Sequence, residues 1–510
     1  MAIIGSLIKR ALEIKAQLTP EGDAPVDQQR AQLRSLLSKA KETAIGLYYD
    51  YSGILEVDDV IQEFQNRVPI FDYHTMDDLW WSQQQKYPNI TWPGHPDFFA
   101  LSSGTTGSKS KRIPITYDLI NAMRSVGFDQ LTDFSLQDVS DKVFEKEILM
   151  LSSSADLSSN SRGFMEGEIS GINVNNFPDW YETFFRPGKD IAQIAQWDER
   201  VKRIAEEAPS WDIGAICGIP SWVLMMLEEI VEKNKLTSIH EIWPDLQVFV
   251  SGGVAFEPYR DKFDSLVDHE IFYMDTYLAS EGFFGYTPSA QKMDMKLAID
   301  HGIFYEFVPF DKDGFDGTGQ ILNQPTIHTI DQVEEDREYA LLISTCAGAW
   351  RYMIGDTVRF TNKKDLLFRI AGRTKFFLNV VGSQLSEEKI NAAIKKTAAH
   401  FDVTIEEFCV GALKDQAGDI YHQWVIGTDD VLDEDEVVLF LDETLEELNK
   451  NYRVARSKAL KKVKLKAVKK DHFYEALSGS KEKGGQLKTP KVMPTDKLQA
   501  FLDNLEKLGN

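Results

Sequence analysis

Apolar residues recur at three- and four-residue spacing through residues 1 to about 95, the rhythm of helices that bury one face. A polar break at Thr19–Asp27, where Pro20, Gly22 and Pro25 interrupt the period, parts the first helix from those after it. From Phe98 onward the pattern changes to short apolar runs alternating with helical stretches. Strands are predicted over Glu147–Ser152, Ile213–Gly218, Leu246–Ser251, Glu270–Thr276, Gly302–Pro309 and Tyr339–Ser344, and helices over Ile191–Ala208 and Ser221–Lys235. The alternation predicts an α/β fold, with sheets and helices packed in layers. After Phe368 and a Gly-Arg turn come two charged helices, Glu387–Thr397 and Glu434–Leu448, with strands Glu407–Lys414, Gln423–Gly427 and Lys462–Val468. A boundary is expected near Arg373–Lys375, giving a large N-terminal domain (1–373) and a small α+β domain (374–510). At 510 residues the chain is long enough for both to have cores of their own.

Charge adds what the pattern lacks. Lys and Arg number 56 against 80 Asp and Glu, a net charge of −24, so nucleic acid and anionic membrane are expected not to be partners. The basic residues collect at the C-terminal end, with nine Lys or Arg and no acid from Arg453 to Lys470. In Lys462–Val468 the alternation puts lysines on one face of a strand, either a solvated face or a positive cover over an anionic ligand. Cys217, Cys346 and Cys409 are far apart and form no CxxC pair, so neither a disulfide framework nor a zinc site is indicated. Met1–Leu18 reads as an amphipathic helix, not a signal peptide, and no uncharged apolar run is long enough to cross a membrane. A cytoplasmic location is therefore expected.

Three segments carry candidate chemistry. Ser102-Ser103-Gly104-Thr105-Thr106-Gly107-Ser108-Lys109-Ser110-Lys111 follows an apolar run; its glycines and hydroxyls suit a phosphate-cradling loop, and Lys111 can add a positive charge. It lacks the GxxxxGK[ST] spacing of P-loop NTPases. Tyr277-Leu278-Ala279-Ser280-Glu281-Gly282 follows the Glu270–Thr276 strand and offers a ring for stacking, a hydroxyl for a phosphate and a carboxylate for Mg²⁺. A helix N-terminus would explain its Ser and Glu equally well. Ser251-Gly252-Gly253 is another strand-to-glycine junction. In Arg351-Tyr352-Met353-Ile354-Gly355-Asp356, with Gly372-Arg373-Thr374-Lys375 beyond, the acid after a strand suits ribose hydroxyls, and an ordinary hairpin is the other reading.

Taken together these segments resemble the adenylate-forming superfamily, and within it the Gretchen Hagen 3 family of acyl acid–amido synthetases, in its bacterial branch. SSGTTGSKSKRIP, YLASE and RYMIGD are similar to the family's phosphate loop, YxxSE and RYRxGD motifs, Met353 standing where Arg is common. GRTKFFLNVVGSQLSE, LNKNYRVAR and GGQLKTPK resemble its hinge and C-terminal segments. The resemblance implies ATP and Mg²⁺, with small carboxylic acid and amino acid substrates and no obligatory protein partner. It implies that a carboxylate attacks the α-phosphorus of ATP and that an amine then takes the acyl group. It places the β- and γ-phosphates on Ser102, Ser103, Gly104, Thr105 and Thr106, with Lys111 close by. Ser280 falls at the α-phosphate, Glu281 on Mg²⁺, the adenine at Gly252, Gly253 and Tyr277, and the ribose at Asp356 and Arg373. Lys488, on a mobile C-terminal lid, would be the catalytic lysine, with Lys491 its competitor. Trp80, Trp81, Trp92 and Arg162 are candidates for the acyl pocket. Two other readings remain: transfer to a thiol, on CoA or a protein, and an inactive nucleotide-binding relative.

Overall fold

The structure is a computed structural model that describes residues 2–18, 22–102, 111–151, 157–177, 183–194, 196–253, 256, 259–289, 293–316, 320–374, 385, 387–415, 420–449, 452–453, 456, 460–478 and 489–508. It divides into two compact units. The first comprises Met1–Val308, Ile327–Ile354 and Arg359–Arg369; the second comprises Pro309–Thr326, Gly355–Val358 and Ile370–Asn510.

In chain order the strands are β1 (Phe98–Ser102), β2 (Lys111–Ile115), β3 (Glu147–Leu151), β4 (Ser158–Ser159), β5 (Met165–Gly167), β6 (Phe185–Arg186), β7 (Ile213–Gly218), β8 (Val248–Gly252) and β9 (Phe272–Ala279). They continue as β10 (Gly282–Tyr286), β11 (Met295–Leu297), β12 (Ile303–Pro309), β13 (Glu338–Thr345), β14 (Tyr352–Asn362), β15 (Leu367–Arg373), β16 (Glu407–Lys414), β17 (Ile420–Gly427) and β18 (Lys462–Val468). One sheet has the order β2-β1-β5-β4, a second β12-β13-β14-β15-β11-β10-β9-β8-β7-β3-β6, and a third β16-β17-β18. In the second sheet β6, β3, β7, β8 and β9 run parallel, and β9, β10, β11 and β15 then alternate in direction. Parallel pairing requires crossovers, and the helix Pro220–Asn234 supplies the one from β7 to β8. Its Trp222, Val223, Met226, Leu227 and Ile230 are buried, the face predicted from their helical spacing.

The predicted strand Glu270–Thr276 runs three residues further, to Ala279, because antiparallel pairing with β10 carries the ladder to Ala279 opposite Gly282. The predicted helix Ile191–Ala208 is two helices, Lys189–Ala192 and Trp197–Glu207, with Gln196 extended between them at ψ 121°. The hairpin reading of Ile-Gly-Asp gives way to one continuous strand, β14. In the second unit β16, β18 and the helix Glu434–Leu448 occupy the predicted spans. Asp433 caps that helix, its carboxylate accepting from the Glu436 amide at 3.2 Å. The sheet's apolar side centres on Phe408, Trp424, Leu441 and Tyr452, all fully buried. Strand β18 lies at the sheet edge with Lys462 and Lys464 exposed and Leu465 buried, an arrangement that discourages further strand pairing. Among the described residues no helix is long and apolar enough to cross a membrane.

Candidate active site

Strands β1 and β2 pair antiparallel with Ser102 opposite Lys111, so residues 103–110 join the two ends of one hairpin. Ser103, Gly104, Thr105 and Thr106 lie outside the described residues. The Lys111 ammonium sits 5.0 Å from the centre of the Tyr73 ring, within cation–π range. Arg112 reaches Glu166 on the neighbouring β5, Nε donating to Oε2 at 3.0 Å and Nη2 to Oε1 at 3.3 Å. The guanidinium holds the buried Glu166 carboxyl below its usual range, with Asn160 as a second donor.

Beside this hairpin lies a cavity of about 270 Å³ walled by Tyr73, Trp81 and Phe99 and by Asp77, Arg112 and Arg162. Burial, reinforced by Asp78, raises the Asp77 carboxyl, and Arg112 only partly offsets that. Of the acyl-pocket candidates, Trp81 and Arg162 are therefore together on one cavity. Trp92 is buried elsewhere, its indole donating to Asp118 at 3.0 Å.

Gly252 ends β8 opposite Thr276. A Cβ there would meet the Thr276 hydroxyl at 2.7 Å, and Gly253 follows at φ +85°, a region that favours glycine. Both lie at the carboxyl ends of the parallel strands, where α/β sheets bind ligands. Tyr277 lies inside β9 and is buried, its ring 4.8 Å from that of Phe284 and 6.2 Å from that of Phe368. Ser280 and Glu281 form the turn between β9 and β10, so the helix N-terminus reading gives way to a hairpin tip. Glu281 is buried and accepts a hydrogen bond from the Tyr352 hydroxyl at 3.3 Å. Burial, then the neighbouring carboxylate, raises the Tyr352 phenol well above its usual value, so it stays a donor. The Trp81 ring packs on Tyr352 at 5.1 Å.

The arginine that opens RYMIGD faces inward. Arg351 Nε donates to Glu306 Oε2 at 3.0 Å and Nη1 to the carbonyls of Gln65 and Val68 at 3.0 and 2.6 Å. Gln65 holds the other Glu306 oxygen at 3.0 Å. In the second unit, Asp356 on β14 and Arg373 at the end of β15 form an ion pair at 2.7 Å. The Thr374 amide donates to the Gly355 carbonyl at 2.8 Å and holds the two strands together there. Lys488 lies outside the described residues. Lys491 is 3.4 Å from Glu407, with its ammonium 4.4 Å from the Phe408 ring centre. Among the described residues no group of three or more His, Cys, Asp or Glu could hold a metal ion.

The sequence matches the GH3 family N-terminal domain over residues 16–198 and 189–271, the central domain over 296–370 and the C-terminal domain over 388–497. The chain belongs to the GH3 family. It is 25% identical over 288 residues to indole-3-acetic acid-amido synthetase GH3.4 of Arabidopsis thaliana, 52% of this chain and 47% of that protein. The chain spans about half or less of the length of the curated relatives it matches. Its fold is similar to that of the GH3.15 acyl acid amido synthetase, with a TM-score of 0.77 and 16% identity over 98% of this chain and 96% of that one. It is also similar to 2-hydroxyisobutyryl-CoA ligase in the postadenylation state, at a TM-score of 0.55 and 12% identity over 94% and 91% of the two chains. The GH3 fold thus brings Glu281, Tyr352 and the Tyr73–Trp81 cavity wall into one unit, and pairs Asp356 with Arg373 in the other.

Sequence reading missed Asp77, Arg112 and Tyr352. Arg112 and Tyr352 lie inside SSGTTGSKSKRIP and RYMIGD, but their place in those strings does not show which side chain borders a cavity or holds Glu281. Asp77 sits in an unremarkable helix and offers no signal of its own.

Proposed function

We propose that this GH3 protein is an ATP-dependent ligase that activates a carboxylic acid as its acyl-adenylate and passes the acyl group to the amine of an amino acid. The observation that carries this reading is the family match through all three GH3 domains, together with a buried carboxylate, Glu281, at the end of the parallel strands.

In the first step a carboxylate oxygen bonds the α-phosphorus of ATP and pyrophosphate leaves. In the second the amine nitrogen bonds the acyl carbon, the carbon–oxygen bond to AMP breaks, and the former ammonium gives up two protons. An anion attacking a polyanion needs local positive charge, which a protein of net charge −24 must concentrate. Ser102–Thr106 and Lys111 would receive the β- and γ-phosphates, and Ser280 the α-phosphate. Gly252, Gly253 and Tyr277 would border the adenine, and Asp356 with Arg373 would hold the ribose. Lys488 would bridge the carboxylate and the α-phosphate; the engagement of Lys491 with Glu407 supports it over that competitor. A single carboxylate steadied by the Tyr352 hydroxyl suits Mg²⁺, which keeps most of its ligands as water and phosphate oxygen. Bound there, Mg²⁺ would supply neutralising charge to the triphosphate.

Free thiols at Cys217, Cys346 and Cys409 support a cytoplasmic location, and the acidic surface supports small-molecule partners over nucleic acid or membrane. The test is ATP–pyrophosphate exchange with indole-3-acetate, benzoate, jasmonate and decanoate, then product masses with amino acids or CoA. Exchange with at least one acid and an amide mass are expected. A CoA thioester without amide would replace amide formation with thioester formation, and no exchange with any acid would overturn the reading.

A further inference from the structure

We propose that the cavity between Tyr73, Trp81 and Phe99 is the binding site for the acceptor amino acid, with Asp77 receiving its ammonium group and Arg162 its carboxylate. The inference rests on the amide-ligase reading above and deepens it. Three observations lead to it.

First, the cavity wall carries charges of both signs. Asp77 and Arg162 both line it, and within the described residues neither side chain makes a hydrogen bond or ion pair with another. Arg112, the other guanidinium on the wall, is already held by Glu166 through two hydrogen bonds. A simple carboxylic acid would satisfy the arginine and be repelled by Asp77, whereas a zwitterion satisfies both. The raised Asp77 carboxyl fits the same role, because a bound ammonium relieves what burial costs the carboxylate.

Second, the size suits. A volume of about 270 Å³ lies just below the roughly 300–1,000 Å³ typical of small-molecule pockets, which suits one amino acid better than a nucleotide.

Third, the cavity adjoins the chemistry on two sides. Tyr73 forms one wall, and the Lys111 ammonium lies over that ring. Trp81 forms another and packs on Tyr352, whose hydroxyl donates to Glu281. The cavity thus shares its walls with Lys111 and, through Tyr352, with Glu281, the residues proposed to face the phosphates and Mg²⁺.

The test separates the half-reactions, using the full-length protein with ATP and whichever of indole-3-acetate, benzoate, jasmonate or decanoate supports exchange. Arg162 is exposed and Asp77→Asn is isosteric, so Arg162→Ala and Asp77→Asn should both fold; the thermal midpoint of each checks this. Each variant should raise the KM for the amino acid in amide formation by at least about tenfold, the usual effect of losing one charge-assisted hydrogen bond. The KM values for acid and ATP in pyrophosphate exchange should move by less than that. Against wild-type protein, the matching amine without the carboxylate should compete far more weakly than the amino acid itself. A rise in the KM for the acid, with the amino acid KM unmoved, would make this the acyl pocket and overturn the proposal. Unmoved KM values for all three substrates would overturn it too. Wild-type protein that exchanges with no acid would instead sink the amide-ligase reading beneath it.

Discussion

Arg351 and Asp356 belong to one six-residue run, yet their surroundings differ sharply. The Arg351–Glu306 pair is sealed, with 3% and 1% of the side chains exposed, and Arg351 also donates to two backbone carbonyls. The Asp356–Arg373 pair keeps 14% and 38% exposed and sits where β14 and β15 meet. The first pair exchanges water for protein partners on Arg351 Nε and Nη1 and on both Glu306 oxygens, while Arg351 Nη2 is buried without a hydrogen-bond partner among the described residues. The second leaves a carboxylate and a guanidinium within reach of solvent, and so of a ligand. One short motif can therefore carry a sealed residue and a solvent-reaching one side by side. The C-terminal segment repeats the contrast: Lys491 is tied to the buried Glu407, and Lys488, three residues earlier, is the candidate for chemistry.

The strongest way to break the contrast is Arg351→Ala. It strands the Glu306 carboxylate in the interior, so denaturant unfolding should show a loss of about 3–5 kcal/mol. A loss under about 1 kcal/mol would mean that the sealed pair is no more structural than the open one. Next in size, Lys488→Ala should lower the pyrophosphate-exchange rate by about 10²–10³ with its melting temperature unchanged. Lys491→Ala should do the reverse, losing stability before activity; equal loss of exchange in both would erase the distinction between the two lysines. Asp356→Asn should raise the KM for ATP by roughly tenfold, one charge-assisted hydrogen bond, with stability altered by less than about 1 kcal/mol. A large fall in stability would place Asp356 with Arg351 among the structural residues.

A last test, of pH instead of substitution alone, concerns His422, a buried group without an acidic partner among the described residues. Its ring packs by Tyr452, and among the described residues neither nitrogen has a hydrogen-bond partner. Burial, with Arg456 adding repulsion, pushes its pKa down to about 3, whereas the unfolded chain titrates near 6.5. Between those values the unfolded state binds the extra proton. Stability from this group is therefore complete above about pH 6.5 and is lost as pH falls toward 3, by up to about 1.4 kcal/mol per pH unit. Denaturant unfolding of wild type and His422→Phe from pH 7 to pH 4 checks it: the variant's curve should be flatter, and parallel curves would refute the assignment.

Much of this was legible along the chain. The strands Ile213–Gly218, Glu407–Lys414 and Lys462–Val468 have their predicted ends, because each apolar run is bounded by residues that leave the ladder. The end of β9 was not, since Tyr277 to Ala279 stay in the strand only because β10 folds back to pair with them. The family could be read from motif order, which survives in one dimension. Burial could not be read so directly: the same letters give a sealed Arg351 and an open Asp356, and only the packing of Glu306, Gln65 and Val68 decides between them.

The sequence by itself determined the layered α/β character, the acidic body with its basic C-terminal segment, and the phosphate-site candidates, because periodicity, charge and local motifs are properties of neighbours in the chain. Tertiary structure alone decided that Asp77, Trp81, Arg112 and Arg162 border one cavity, and that Trp81 leans on the tyrosine that holds Glu281. Those residues come from separate segments, and a cavity that can match a zwitterion exists only once a sheet and a helix have brought their side chains to the same few ångströms.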